Sequence, residues 1–191
     1  MPESRKVARK YSQIKLEEVR ALLGSSVHEE RLVALLILVQ KYKSAPDNEK
    51  AGIARFYLDN LKGVNNWDLV DLSAPSILGS FLSGNDRSVL YKLAKSSSVW
   101  ERRIAIVSTL QFIRDGEFGD TLKIAEMLLH DDHDLIHKAA GWMLREVGKK
   151  NVSAIEAFLE KHCRSMPRTM LRYAVERFPE KKRSDYLKRS S

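Results

Sequence analysis

The segment Asn65-Asn66-Trp67-Asp68-Leu69-Val70-Asp71 combines residue types that together do chemistry. Asp71 lies four residues after Trp67, so on a helix the indole and the carboxylate share one face. A tryptophan beside an exposed acid is poor core material. It suits a surface that holds a cation against a flat wall. Asp68 falls in the first helical turn, where a negative charge complements the helix dipole. The two asparagines are expected to stop one helix and cap the next.

Three other groups are weaker candidates. His133 and His137, within His130-Asp131-Asp132-His133-Asp134-Leu135-Ile136-His137, stand at metal-ligand spacing with acids nearby. The interior glutamate base of metallohydrolase helices is missing, and Asp134 serves well as an N-terminal helix charge, so no metal is expected. Cys163 has no assignable activating partner. Lys138 is the one lysine placed to act as a nucleophile, a minor reading. No cofactor is expected.

These residues sit in a chain of 191 residues with 33 Lys+Arg, 25 Asp+Glu and a formal net charge of +8. A positive balance favours a polyanionic partner, nucleic acid or an anionic membrane face. A single cysteine rules out an internal disulfide and a multi-cysteine zinc site, and fits a reducing cytoplasm. The basic N-terminus is not followed by the apolar core of a signal peptide, and the longest apolar run, Leu32 to Val39, is far too short to span a bilayer. A soluble cytoplasmic protein, monomeric and without membrane contact, is expected.

The elements that must position these groups all read as helices. Apolar spacing and caps predict helices at 17–23, up to about 42 after Ser25-Ser26, 49–61, from Trp67, from Ser73-Ala74-Pro75, 87–95, 99–114, 118–129, 133–149, 152–162 and 167–178. The basic segment from Glu180 to Ser191 reads as a frayed, solvated end. No stretch reads as a strand.

An internal repeat accompanies this pattern. Ser25-Ser26-Val27-His28-Glu29-Glu30-Arg31-Leu32 aligns with Ser97-Ser98-Val99-Trp100-Glu101-Arg102-Arg103-Ile104, and Arg31, Trp67, Arg103, Lys138 and Arg172 recur at steps of 36, 36, 35 and 34. One such residue early in each helix pair predicts stacked helical hairpins, an all-α superhelix whose concave face is lined by equivalent positions. The period resembles short HEAT-like (armadillo-type) repeats. The predicted basic face carries Arg31, Arg103, Lys138 and Arg172, with Arg145, Arg168 and Trp100 nearby. Charge for phosphates and flat faces for sugars or bases are what a nucleic-acid backbone requires.

Four motifs in order carry a resemblance that spans Pro2 to Leu187: Asn65 to Asp71, Trp100-Glu101-Arg102-Arg103-Ile104-Ala105, His133 to Glu146, and Met166-Pro167-Arg168-Thr169-Met170-Leu171-Arg172-Tyr173-Ala174. Together they resemble the AlkD-like family of DNA alkylation repair enzymes. The resemblance implies one HEAT-like domain over the whole chain, acting as a monofunctional glycosylase on double-stranded DNA and excising cationic purines alkylated at N3 or N7. It implies Asp71 as the catalytic carboxylate, Trp67 and Trp142 as indoles flanking the lesion's sugar, and Arg103 near the DNA backbone. Family members carry further helices ahead of the segment that resembles Met1-Pro2-Glu3-Ser4-Arg5-Lys6, so this chain is expected to begin inside that region. The family reads its lesion from the backbone side. The residues themselves are equally compatible with a flipped base. A non-catalytic HEAT-like scaffold for DNA or protein is the alternative function. Asp71 discriminates the two, because a carboxylate among cations weakens phosphate binding unless chemistry needs it.

Overall fold

The computed structural model describes residues 2–189, and every regular element among them is helical. Contacts divide the chain into two compact units, 1–86 and 87–191.

The first unit contains α1 (Pro2–Lys10), α2 (Leu16–Leu23), α3 (His28–Ser44), α4 (Asp47–Asp59), α5 (Trp67–Ser73) and α6 (Ser80–Leu82). Helix α3 is its spine and packs against α1, α2, α4 and α5. Leu35, Ile37 and Leu38 on α3 are fully buried with Tyr57, Leu69, Ile77 and Leu78. A π-helical turn, Pro75–Gly79, joins α5 to α6, and Gly79 N–H donates to the Ala74 carbonyl at 2.8 Å, five residues back. Pro75 has no N–H to give the Asp71 carbonyl, and its ring would collide with that oxygen in a regular helix. The wider turn relieves this collision one turn beyond Asp71. The helix therefore runs on through Pro75 instead of starting there.

The second unit contains α7 (Ser88–Leu93), α8 (Val99–Ser108), α9 (Leu110–Arg114), α10 (Gly119–Met127), α11 (Asp134–Lys150), α12 (Val152–His162), α13 (Arg168–Ala174) and α14 (Glu180–Arg189). The helix expected over 99–114 breaks at Thr109, where Ser108 Oγ donates to the Ile104 carbonyl and Thr109 Oγ1 to the Ile106 carbonyl. Such back-bonding by hydroxyls competes with the helix ladder. The segment from Glu180 is not a frayed end: it forms α14, with Tyr186 only 3 % exposed. Ser190 and Ser191 lie outside the described residues.

Helix α11 is the spine of this unit and packs against α8, α10, α12 and α13. Its close approach to α13 depends on Gly141. A Cβ there would stand 2.5 Å from the Met170 carbonyl oxygen and 2.6 Å from Tyr173 Cβ. Alanine gains about 1 kcal/mol over glycine in helix propensity. Overpacking against backbone costs about 1–3 kcal/mol or more, so the clash wins. Gly141→Ala is expected to lower stability in denaturant melts, and an unchanged midpoint would refute this account.

The repeat is visible in three helix starts. Ser25 Oγ accepts from Val27 N–H at 3.0 Å, Ser96 Oγ from Ser98 N–H at 3.1 Å, and Asp131 Oδ1 from His133 N–H at 2.9 Å. Six residues after each of these, a basic side chain donates to the same residue's carbonyl: Arg31 to Ser25, Arg102 to Ser96, His137 to Asp131. Arg31 is thus the equivalent of Arg102 and not, as the sequence alignment has it, of Arg103. Arg103, Lys138 and Arg172 do share a place, each the fifth residue of its helix.

A buried histidine gives this unit a pH response. His162 is 8 % exposed, its ring 4.6 Å from that of Phe158 and its Nε2 3.5 Å from Glu126 Oε1. Burial pushes the imidazole below its ordinary value, and the opposing pull of Glu126 is the smaller effect. The unfolded chain then takes up this proton first, so the stabilisation is present above about pH 6.5 and is lost as pH falls. The stability difference between wild type and His162→Gln should shrink between about pH 7.5 and 5.5. A constant difference in thermal melts would exclude the effect.

Candidate active site

Trp67 and Asp71 share one face of α5, as their spacing requires. Trp67 is 54 % exposed, the most exposed tryptophan, while Asp71 is half-buried. Asn66 occupies the N-cap position in extended conformation but makes no side-chain cap bond. The first turn is held instead by Asp68, whose Oδ1 accepts from Leu69 N–H at 2.8 Å and whose Oδ2 accepts from His28 Nε2 at 2.8 Å. His28 opens α3, so this bond ties the start of α5 to the spine of its unit. Behind the helix, the Tyr57 hydroxyl and Ser73 Oγ stand 3.0 Å apart, and Ser73 Oγ donates to the Leu69 carbonyl at 2.6 Å. Burial drives the Tyr57 pKa far up. The Ser73 bond opposes this, and the charge of Asp71 adds to the rise.

In the second unit, Arg103 is 5 % exposed, and its Nη1 donates to the Leu135 carbonyl in the first turn of α11 at 2.7 Å. Lys138, Trp142 and Arg145 follow one another along one face of α11. Trp142 is half-buried and donates from Nε1 to Glu146 Oε1 at 3.2 Å. Arg145 pairs with Glu176 and lies 3.7 Å from Glu146. Lys138 pairs with Asp134 at 2.7 Å, which raises its pKa and leaves it a protonated cation, unfit as a nucleophile. The same pairing, with a bond to Thr169, holds Asp134 below the ordinary carboxylate range.

The remaining basic candidates differ in availability. Arg31 is half-buried and spends Nη1 on the Ser25 carbonyl at 2.7 Å. Trp100 is half-buried. Arg168 is exposed and donates to the Leu187 carbonyl. Arg172 is exposed, with no ion-pair partner among the described residues. Equivalence along the sequence thus does not carry over to equivalent exposure: Arg103 is buried, Lys138 half-buried and Arg172 free to meet solvent.

The histidine-rich segment is engaged otherwise than in ligation. His133 Nδ1 accepts from Leu135 N–H at 3.2 Å and His137 donates to the Asp131 carbonyl. No group of three or more His, Cys, Asp or Glu among the described residues is arranged to hold a metal ion. No helix among them is long and apolar enough to cross a membrane. Reasoning from sequence missed His28 and Asp131. Their partners are Asp68, 40 positions away, and Arg102, 29 positions away, and no local spacing signals either bond.

Comparison with known proteins bears on the fold and the family. A structure described as a predicted DNA alkylation repair enzyme from Enterococcus faecalis superposes with a TM-score of 0.70 at 18 % identity, covering 93 % of this chain and 83 % of that one. The smu.31 protein of Streptococcus mutans UA159 superposes at 0.58, also with 18 % identity, covering 100 % of this chain and 90 % of that one. At these identities the likeness concerns the fold. No curated protein matches the chain. The family profile for DNA alkylation repair enzymes matches residues 1–178, and the chain belongs to that family.

Proposed function

We propose that the protein is a monofunctional DNA glycosylase that hydrolyses the N-glycosidic bond of cationic N3- or N7-alkylated purines in double-stranded DNA. The observation that carries this reading is the exposed Trp67 indole with the Asp71 carboxylate one turn on, on the same face of α5. An exposed indole offers its ring face to a cation. An acid has no use on a surface meant only for phosphates.

The chemistry needs little else. The alkylated base is already positively charged, so the C1′–N bond breaks with its electron pair passing to the purine, and no strong general acid is required. The sugar left behind carries oxocarbenium character. Asp71, fixed on a helix, stabilises a charge that appears only in the transition state. It also orients the water that attacks C1′. Trp67 attracts the cationic sugar through its ring face, and Trp142 has the matching role implied by the family resemblance. Of the basic candidates, Arg168 and Arg172 are exposed on α13 and contribute to the duplex contact, with the half-buried Lys138 and Trp100. Arg103, buried with Nη1 on the Leu135 carbonyl, positions the start of α11, while Arg145 and Arg31 are engaged by Glu176 and the Ser25 carbonyl.

The test is release of 7-methylguanine or 3-methyladenine from methylated duplex DNA by purified protein. Binding without release would leave the scaffold reading in its place.

A further inference from the structure

We propose that the groove lined by α1, α2 and α3 docks a basic amphipathic helix of a partner protein. Each of the three helices contributes an apolar stripe. Val7 of α1 is followed at helical spacing by Tyr11 and Ile14 in the connection to α2, Leu22 comes from α2, and Val33 and Ile37 come from α3. Helices α1 and α2 both pack on α3, and Ile37, 1 % exposed, floors the groove. Its volume is about 700 Å³. Val7 and Tyr11 are left 43 % and 48 % exposed. Apolar side chains gathered in solvent within a polar rim mark a protein interaction site. Stripes three and four residues apart are those by which helices mesh, so a further helix fits this surface better than an extended segment.

The rim sets the charge of that helix. Glu18 of α2 and Glu29 and Glu30 of α3 are exposed, and the lining holds three carboxylates and no cation. Glu18 Oε2 accepts from Lys15 N–H at 2.8 Å, while Glu29 and Glu30 make no ion pair among the described residues. All three stand in the first turn of their helices, where the dipole favours a negative charge. The dipole accounts for the acids but not for the apolar stripes beside them. Lys10 stands outside the lining, its Nζ 5.3 Å from the centroid of the Tyr11 ring. In a chain of formal net charge +8 the groove is thus a local reversal of sign. Carboxylates there repel a phosphate backbone and an anionic membrane face, and attract lysine and arginine flanking an apolar stripe.

The probe is a fluorescein-labelled peptide of about 18 residues, about five helical turns, with leucine on one face and lysine on the other. A counterpart carries glutamate in place of lysine. Fluorescence anisotropy should show the lysine peptide bound and the glutamate peptide at least about tenfold weaker. Glu29→Gln/Glu30→Gln should weaken the lysine peptide about three- to tenfold, as the loss of two exposed ion pairs allows. Tyr11→Ser should weaken it about tenfold or more. Glu17→Gln, an exposed α2 acid outside the groove, should leave its affinity unchanged. Thermal melts of all variants should coincide with wild type, because every substituted side chain is exposed, and either groove variant carries the test if the other does not fold. Equal binding of the two peptides, unchanged affinity in the groove variants, or an equal loss in Glu17→Gln overturns the proposal. So does a dimer in sedimentation that Tyr11→Ser dissociates, which assigns the groove to a second copy of this chain. Base release from methylated duplex should be the same in the variants and wild type. A protein that releases no base at all would refute the glycosylase reading and leave this one standing.

Discussion

Asp71→Asn is expected to abolish release of 7-methylguanine and 3-methyladenine while duplex binding stays intact. The substitution keeps the shape of the side chain and removes only its charge. If that charge stabilises the oxocarbenium-like sugar, its loss costs on the order of 3 kcal/mol, about a hundredfold or more in the single-turnover rate. Binding responds with the opposite sign. A carboxylate beside an anionic ligand repels it, so the amide should bind the duplex as well as or better than wild type. The amide keeps the size of the half-buried side chain, so the variant is expected to fold, which a thermal melt checks. Release at wild-type rate by Asp71→Asn would take the catalytic role away from this carboxylate.

The chain made some of this legible and concealed the rest for identifiable reasons. Trp67 and Asp71 were readable because both lie within one turn of one helix, where spacing alone decides which face they share. The same holds for Val152–His162, whose bounds match those expected from the apolar pattern. Pro75 misled because a proline ordinarily ends a helix, and nothing local announces that a π turn will absorb it. The predicted basic wall over-counted charge for a related reason. Arg145 is neutralised by Glu176, 31 positions away. Pairings across helices are set by packing and leave no periodic trace. Helix α14 was missed because its mean composition is strongly polar. Its single buried anchor, Tyr186, carries the docking with the help of ion pairs that α12 supplies.

Asp131 is where those hidden pairings converge, and its removal is expected to cost the second unit substantial stability. Its side chain is 5 % exposed and meets Arg102 through two bonds, Nε to Oδ2 at 2.6 Å and Nη2 to Oδ1 at 3.2 Å. The same carboxylate caps His133 N–H, and its carbonyl receives His137. In the equivalent loops that capping place is held by the hydroxyls of Ser25 and Ser96, so only this third copy adds an ion pair to the turn. Breaking a well-buried pair by deleting one partner costs about 3–5 kcal/mol. Arg102 keeps its bonds to the Ser96 and Ser97 carbonyls and a side chain that is 18 % exposed, which places Asp131→Ala near the lower end of that range. Asp131→Asn separates the two roles: its amide oxygen still caps His133, while the charge is gone. It should fall between wild type and alanine in chemical denaturation. Equal losses for Asn and Ala would mean that the ion pair, and not the turn, holds the start of α11. Wild-type stability in both would remove the pair from the account. Lys138 and Trp142 ride on that helix, so a loosened start should weaken duplex binding as well, in proportion to the stability lost.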